Sequence, residues 1–166
     1  MTGERFGTTI VRIDDSKNEE YQCEVTTLRA DGGYADGRRP DNVIFGQEIE
    51  SDLARRDFTI NSLYLNMKTM DILDFVGGYQ DLNNKRLKSI GDSAKRFRED
   101  PVRILRAIRF KAKLGLELDP ELEKNIVSLS HLLDEIPSGR NYEETIKMFL
   151  TGNSIETVSY THLTLP

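Results

Sequence analysis

The pattern of hydrophobic and polar positions in the first half of the chain favours β-structure. The segments TTIVRI (8–13) and YQCEVTTL (21–28) are rich in β-branched and aromatic residues, and a polar loop separates them, which predicts a β-hairpin. Residues 29–42 contain three glycines and a proline and predict a loop or lid. We predict a short helix from Gln47 to Arg56 and then a second hairpin that ends at DFVGGYQDL.

Beyond the Gly-Gly pair of VGGYQDL, the apolar side chains recur with a period of about 3.6 residues, which predicts helices. Asp100 followed by Pro101 is the arrangement of an N-cap followed by proline at the first helical position. A helix is therefore predicted from Pro101 to Leu114, with a stop at Gly115.

Two further helices follow in the same region. The Asp-Pro pair that starts at Asp119 opens one helix, which should run through about Leu133. Asn141, with Glu144 three residues later, fits the capping box of a last helix that ends at Gly152. Strands come first and helices after, so the pattern indicates an α+β chain. The last eight residues, SYTHLTLP (159–166), continue none of these patterns, and we interpret them as a non-native tail.

The net charge of −5 conceals an asymmetry between one segment and the rest of the chain. Residues 85–113 contain eleven lysines and arginines against three acids, so they carry +8 and the remainder carries −13. A segment this basic suggests a phosphate-bearing partner, and a solvated helix face rich in lysine and arginine is the equal alternative. Cys23 is the only cysteine and fits a reducing compartment, and no apolar run is long enough for a membrane span, so we expect a cytoplasmic protein.

Several kinds of catalytic site are excluded by the residues that the chain has. It contains no Gly-x-x-x-x-Gly-Lys-Ser/Thr phosphate loop and no Gly-x-Gly-x-x-Gly motif. Two histidines and one cysteine cannot form a zinc site and do not support a Ser-His-Asp or Cys-His arrangement. What remains is carboxylates and arginines, which handle phosphates together with Mg²⁺.

Two of the four polar clusters lie in the first half of the chain. Glu24 projects from a predicted strand and could help to hold Mg²⁺, although the pattern alone favours an exposed residue paired with a lysine. In RRDFTIN, arginines could clamp a triphosphate while Asp57 accepts from a ribose hydroxyl. Equally, the motif could be a helix-ending network of salt bridges among four residues: Asp52, Arg55, Arg56 and Asp57.

The other two clusters lie in VGGYQDL and EDPVRILR. The first could be a flexible joint or merely a turn. In the second, Asp100, Arg103 and Arg106 fall on adjoining turns of the predicted helix, where an acid and an arginine can match the hydrogen-bonding edge of a base. The alternative is an ordinary cap in which Arg103 pairs with Asp100.

Taken in order, four segments give the chain a resemblance: EVTTLRADGGYADGRRPDNV, DLARRDFTINSLYLN, DFVGGYQDL and RFREDPVRILRAIRFKAKLG. Over residues 20–152 it resembles the class II tRNA nucleotidyltransferases (the CCA-adding enzymes) and the related bacterial poly(A) polymerases. The resemblance implies the C-terminal part of a head domain at residues 1–76, a hinge and linker at 77–92 and a helical neck at 93–152.

The resemblance also implies a role for individual residues. Glu24 corresponds to a carboxylate that holds Mg²⁺, and Arg56, Asp57 and Asn61 correspond to the contacts with the triphosphate and ribose of the incoming nucleotide. Asp100 and Arg103 correspond to the pair that reads the base, with Glu99 and Arg106 orienting them. ATP, CTP and the tRNA 3′ end are the implied partners, and residues 140–150 correspond loosely to the last neck motif.

One departure from the family is serious. The two metal-binding aspartates of the family stand in an Asp-x-Asp pair upstream of the Glu24 strand, and no Asp-x-Asp occurs in this chain. The expectation is an internal fragment that transfers no nucleotide by itself. Poly(A) polymerase and a non-catalytic RNA-binding module remain the alternatives to a CCA-adding enzyme.

Overall fold

The computed structural model describes residues 8–14, 20–32, 42–46 and 48–150. The chain divides between Arg55 and Arg56 into two compact units. Paired strands come first and helices dominate afterwards, so the predicted α+β class is confirmed. The predicted head, hinge and neck boundaries remain predictions, and the predicted tail at 159–166 lies outside the described residues.

The first unit contains two hairpins and one helix. Its elements are β1 (Thr8–Asp14), β2 (Glu20–Thr26), β3 (Arg29–Gly32), β4 (Asn42–Phe45) and α1 (Ile49–Arg55). The predicted first hairpin is confirmed, with β1 antiparallel to β2. The loop predicted at 29–42 is wrong at its two ends, because Arg29–Gly32 forms β3 and pairs with β4, which begins at Asn42. The part of the predicted loop between these strands lies outside the described residues.

The second unit begins with a short 3-10 turn and a small hairpin. These elements are the 3-10 helix Thr59–Asn61, β5 (Leu63–Leu65) and β6 (Ile72–Asp74). β5 pairs antiparallel with β6, which confirms the second predicted hairpin. The side chain of Asn66 accepts the backbone N–H of Lys68 at 3.0 Å and supports the connecting turn.

Asp74 caps the Gly-Gly segment that follows the hairpin. Its carboxylate accepts the backbone N–H groups of four residues: Val76, Gly77, Gly78 and Tyr79. Desolvation by itself would raise the pKa of Asp74, but these four bonds lower it below its ordinary value. The segment is therefore a capped turn that leads into α2 (Gly78–Asn83). Its role as a hinge between domains remains a prediction.

The rest of the second unit is mainly helical. Its elements are β7 (Arg86–Leu87), α3 (Ser93–Glu99), α4 (Val102–Leu114), β8 (Glu117–Leu118), α5 (Pro120–Ser128), the 3-10 helix Ser130–Glu135 and α6 (Ser138–Leu150). β7 and β8 pair in parallel, which ties the segment before α3 to the segment after α4. α4 is the centre of the core, since its side chains Ile104, Ala107 and Ile108 are almost completely buried.

The helix ends show which signals in the sequence were reliable. α4 ends at Leu114, and Gly115 adopts the left-handed conformation, as predicted. α3 was not predicted, and Asp100 follows its last residue while accepting the N–H of Val102 at 3.3 Å. α5 starts as predicted, with Asp119 accepting the N–H of Glu121, but it stops at Ser128 and a 3-10 helix takes over.

The capping box predicted for the last helix is wrong. α6 begins at Ser138, directly after Pro137, whose carbonyl accepts the backbone N–H groups of Arg140 and Asn141. Asn141 and Glu144 therefore lie inside the helix, and the side chain of Glu144 is buried instead of capping. The predicted end at Gly152 lies outside the described residues.

Candidate functional site

The turn at residues 57–61 is fixed by backbone hydrogen bonds to a segment thirty residues away. Ile90 donates its N–H to the carbonyl of Asp57, and Thr59 donates its N–H to the carbonyl of Lys88, both at 3.0 Å. Phe58 lies in the core with 1 % of its surface exposed, against Phe110 of α4 at an edge-to-face distance of 5.9 Å. The buried ring of Phe58 and these two backbone hydrogen bonds therefore hold the polar side chains of this turn beside α4.

Asp57 is surrounded by hydrogen-bond donors. Its Oδ1 accepts the backbone N–H of Phe58 at 2.8 Å and Nδ2 of Asn61 at 3.1 Å. Its Oδ2 accepts Nε and Nη2 of Arg106 at 2.8 and 2.6 Å. A carboxylate has about four lone-pair positions, so these four donors fill its capacity.

The electrostatics of Asp57 follow from this environment. Burial by itself would raise the pKa of the carboxyl, but the charge of Arg106 and the bonds from Asn61, Arg106 and Phe58 lower the pKa below its ordinary value. Asp57 is thus an ionised, nearly buried acceptor within a rigid ion pair.

The two arginines of RRDFTIN have different partners. Arg55 donates Nε to Oδ1 of Asp52 at 2.8 Å within α1, so the helix-ending salt bridge exists for this pair in the first unit. In the second unit, Arg56 donates Nη1 to the carbonyl of Asn61 at 2.9 Å, and its guanidinium lies 4.8 Å from the ring centroid of Tyr64. Half-buried Arg56 keeps a fixed direction beside Asp57.

A third arginine, which the sequence did not single out, connects this turn to α3 and α4. Arg96 donates Nη2 to the carbonyl of Arg56 and Nη1 to Oε2 of Glu99 at 2.7 Å. Arg103 donates Nη1 to the carbonyl of Arg96 at 2.9 Å and lies 3.3 Å from the same oxygen of Glu99. Asp57, Arg56, Glu99 and Arg103 therefore belong to one connected set of hydrogen bonds.

Asp100 has a different partner from the one that capping suggested. Arg140, in the first turns of α6, donates Nη1 to Oδ1 and Nη2 to Oδ2 of Asp100, each at 2.9 Å. The pairing of Arg103 with Asp100, which was the alternative to base reading, is not formed, because Arg103 turns to Glu99 and the end of α3.

A second buried carboxylate, Glu144, supports the arginines of α4. It has 5 % of its surface exposed, and it accepts Nε of Arg109 at 2.9 Å and Nζ of Lys147 at 3.0 Å. Desolvation opposes the shift, but the bond from Lys147 and the charges of Arg109, Arg106 and Lys147 lower its pKa. The spacing in the sequence could have predicted the burial of Glu144. It stands four residues before Met148, so the two share one face of α6, and Met148 is buried.

The basic segment at 85–113 is therefore partly internal. Its arginines at 96, 103, 106 and 109 are bonded to carboxylates and carbonyls of the second unit. The exposed members are these: Lys85, Lys88, Lys95, Arg98 and Lys113, besides Arg86, which pairs with Asp119. Four of its eleven basic side chains thus make internal hydrogen bonds and ion pairs, while six are exposed.

Glu24 belongs to the first unit, whereas this set of residues belongs to the second. Glu24 lies exposed on β2. The described ranges contain no group of three or more His, Cys, Asp or Glu side chains that could hold a metal ion. The carboxylates of these ranges thus do not by themselves form the Mg²⁺ site that the resemblance implied. Within the same ranges, no helix is long and apolar enough to cross a bilayer.

Comparison with known proteins gives two family matches that follow each other along the chain. The family described as "Poly A polymerase head domain" matches residues 1–88, which is more than half of the chain. The family described as "Probable RNA and SrmB- binding site of polymerase A" matches residues 115–160.

Individual relatives agree with these matches. Poly(A) polymerase I of Salmonella typhi is 41% identical over 152 residues, covering 92% of this chain and 32% of that protein. The CCA-adding enzyme of Lactobacillus helveticus is 42% identical over 153 residues, covering 92% of this chain and 37% of that protein.

A solved structure shares the fold as well. The crystal structure of the Bacillus stearothermophilus CCA-adding enzyme in complex with CTP has a TM-score of 0.74 and 35% identity, over 89% of this chain and 33% of that one. The chain spans about a third of the length of these relatives. It belongs to the nucleotidyltransferase family of the bacterial poly(A) polymerases and CCA-adding enzymes.

Proposed function

We propose that this chain is the nucleotide-selecting part of a template-independent RNA nucleotidyltransferase that adds C and A to tRNA 3′ ends. The observation that supports the proposal most is the arrangement at the start of α4. Asp100 and Arg103 lie one turn apart; Arg140 of α6 holds Asp100, and Glu99 at the end of α3 contacts Arg103. A CCA-adding relative has been solved with CTP, which is one of the two nucleotides that the proposal requires.

The selection follows from hydrogen-bond chemistry. Cytosine and adenine each carry an exocyclic amino group, which donates, beside a ring nitrogen, which accepts. An ionised carboxylate only accepts and a guanidinium only donates, so Asp100 and Arg103 together match both bases. Uracil and guanine present a carbonyl oxygen and a ring N–H at the same places. Their carbonyl oxygen would face the carboxylate of Asp100, which also only accepts, and their ring N–H would face the guanidinium of Arg103, which also only donates. No nucleic-acid template is needed for this choice.

The remaining site residues complete the proposal. Arg56 and Asn61 would contact the phosphates and ribose, since arginine matches phosphate geometry and is half-buried beside the turn. Glu99 would orient Arg103, with which it shares a contact at 3.3 Å. Asp57 and Arg106 would hold the turn against α4. The lone Cys23 fits the reducing cytoplasm in which tRNA is processed.

We expect no transfer by this chain alone. Glu24 would be one metal ligand in the complete enzyme, yet the Asp-x-Asp pair is missing from the sequence. The chain should therefore bind and sort nucleotides without joining them to RNA. Robust Mg²⁺-dependent addition of C or A to tRNA by the purified chain would contradict this part of the proposal.

A second candidate function is supported by the relatives themselves. Poly(A) polymerase I of Salmonella typhi and the CCA-adding enzyme of Lactobacillus helveticus match this chain with nearly equal identity, 41% and 42%. A poly(A) polymerase would use ATP alone and would extend many RNA ends.

The deciding experiment uses the complete protein that contains this segment. Purified enzyme is given tRNA without its terminal CCA, and the incorporation of each of the four nucleotides is measured separately. We expect incorporation of C and A and exclusion of U and G, and substitution Arg103→Ala should weaken that exclusion. Incorporation of A alone, onto tRNA and unrelated RNA equally, would favour the poly(A) polymerase. Unchanged selectivity in Arg103→Ala would remove the base-reading role.

A further inference from the structure

Arg140 of α6 forms a bidentate salt bridge with Asp100, the carboxylate that is proposed to read the base. Its two Nη atoms donate to the two oxygens of Asp100 in parallel, each at 2.9 Å, in the fork geometry that makes arginine–carboxylate pairs directional. Forty residues separate the two partners, so the bond exists only because α6 returns to the start of α4. Both side chains are mostly buried, with 25% of Arg140 and 15% of Asp100 exposed.

The hydrogen bonds of Asp100 leave it one acceptor position. Oδ1 accepts Nη1 of Arg140 and the backbone N–H of Val102, which fills both of its lone pairs. Oδ2 accepts Nη2 of Arg140, and no second donor from the residues that the structure describes is bonded to it. Asp57 differs in this respect, because donors fill all four of its positions.

We propose that Arg140 is a positioning residue that fixes Asp100 so that its one remaining acceptor meets the exocyclic amino group of cytosine or adenine. This inference rests on the proposed function. A carboxylate bonded at both oxygens cannot turn about its Cβ–Cγ bond without losing two charge-assisted bonds, so the direction of the acceptor is set. A fixed acceptor rejects the carbonyl oxygen of uracil or guanine, whereas a rotating carboxylate can move aside and tolerate it.

The same unit contains a matched control for this ion pair. Arg86 and Asp119 also form an arginine–aspartate pair, at 2.6 Å, but Arg86 lies on β7 and Asp119 lies between β8 and α5, and neither has a part in the proposed site. Substitution Arg86→Gln removes a guanidinium and a salt bridge in the same way as Arg140→Gln. The Arg86→Gln variant therefore measures the effect of losing one positive charge and one salt bridge while the contacts of Asp100 stay unchanged.

The test measures the affinities of CTP, ATP, UTP and GTP for the purified 166-residue chain by competition with a fluorescent ATP analogue. The unsubstituted chain should prefer CTP and ATP. Arg140→Gln should reduce the ratio of CTP to UTP affinity by about tenfold, as expected for loss of one directional bidentate contact. Arg140→Lys, which keeps the charge but can engage only one oxygen firmly, should recover part of the ratio, and Arg86→Gln should leave it unchanged.

The outcomes separate the inference from the proposed function. If the unsubstituted chain binds no nucleotide, or binds all four equally, the proposed function is overturned. If it discriminates and both Arg140 variants keep its full ratio, the positioning role is overturned while the proposed function stands. A double-mutant cycle of Asp100→Asn with Arg140→Gln, measured as thermal stability, gives a result without nucleotide, and strict additivity would overturn the ion pair on which the inference depends.

Discussion

Asp57 accepts two hydrogen bonds from Arg106, and this ion pair joins the turn of the RRDFTIN motif to the middle of α4. The two residues are 49 positions apart in sequence. Arg106 also stacks over the ring of Phe110 at 5.5 Å and lies 3.7 Å from Glu144, so the pair connects the turn to both α4 and α6. The RRDFTIN motif, which resembles a nucleotide-binding motif, thus also stabilises the packing of the second unit.

Substitution Asp57→Asn should destabilise the chain, because it removes the negative charge that pairs with the guanidinium of Arg106. We expect the free energy of unfolding to fall by about 2–3 kcal/mol, less than for a fully buried pair because Arg106 is partly exposed. Urea denaturation of the variant measures this change. Arg86→Gln, which breaks a more exposed pair, should cost below about 1 kcal/mol. Equal losses in the two variants would show that the ion pair of Asp57 has no special weight.

Arg96 should be sensitive even to a conservative change. Lysine can reach either the carbonyl of Arg56 or the carboxylate of Glu99, but it has no second guanidinium nitrogen to hold both. Arg96→Lys should lower the free energy of unfolding by about 1–3 kcal/mol, since a buried acceptor loses its donor. The exposed residue Arg98 on the same helix offers the matched control Arg98→Lys, which should be neutral. A neutral Arg96→Lys would remove Arg96 as the connection between the two motifs.

Gly78 should not tolerate a methyl group. A Cβ at this position would lie 2.1 Å from the carbonyl oxygen of Thr59, which is backbone of the site turn. Gly78→Ala should therefore destabilise the chain by about 2–4 kcal/mol in thermal or urea unfolding.

A second helical glycine supplies the control for Gly78. In α6, a Cβ on Gly139 would meet nothing within 4 Å, so Gly139→Ala should be neutral or stabilising by up to about 1 kcal/mol. If Gly78→Ala behaves like Gly139→Ala, the close approach of α2 to the turn does not exist in solution.

The chain should lose stability in acid in part through two buried carboxylates. The folded-state pKa values of Asp57 and Glu144 lie below their ordinary values of 3.8 and 4.5. Their stabilising contribution is therefore complete above those ordinary values and disappears as the pH falls through the lower folded-state values. The free energy of unfolding should decline between about pH 5 and pH 2, and less steeply in Asp57→Asn/Glu144→Gln than in the unsubstituted chain.

The control for the acid experiment is an exposed carboxylate of the same unit. Asp134→Asn should leave the pH dependence as it is in the unsubstituted chain. A double variant whose stability falls with acid as steeply as that of the unsubstituted chain would contradict the assignment of acid sensitivity to Asp57 and Glu144.

Local signals predicted much of the fold. Runs of β-branched and aromatic residues on either side of a polar loop located the first confirmed hairpin, and alternation of apolar residues located the second. Gly115, which adopts the left-handed conformation, located the end of α4. α3 escaped prediction because its seven residues, SAKRFRE, bury only part of one face and show no sustained apolar period. The loop predicted at 29–42 contains paired strands at its ends, since turn residues reveal a turn but not how far its flanking strands extend.

The site was predictable only in part, for a reason that lies in sequence separation. Motif order pointed to Arg56 and Asp100, yet their partners Arg96 and Arg140 each lie 40 residues further along the chain. Such pairs depend on how helices pack, which no local spacing encodes. Glu144 was interpreted as part of a capping box, because an acid three residues after Asn141 satisfies that pattern before the start of the helix is known.

The central claim is that a nucleotide base is selected where the turn at 57–61 meets the start of α4. The most direct measurement is an NMR titration of the ¹⁵N-labelled chain with CTP and, in a separate sample, with UTP. The chemical shifts of the backbone amides are recorded at each nucleotide concentration. The account predicts saturable CTP-dependent shifts that concentrate at residues 56–61 and 99–106, with much weaker shifts for UTP. Shifts confined to other surfaces, such as α5, or identical responses to the two nucleotides, would contradict it.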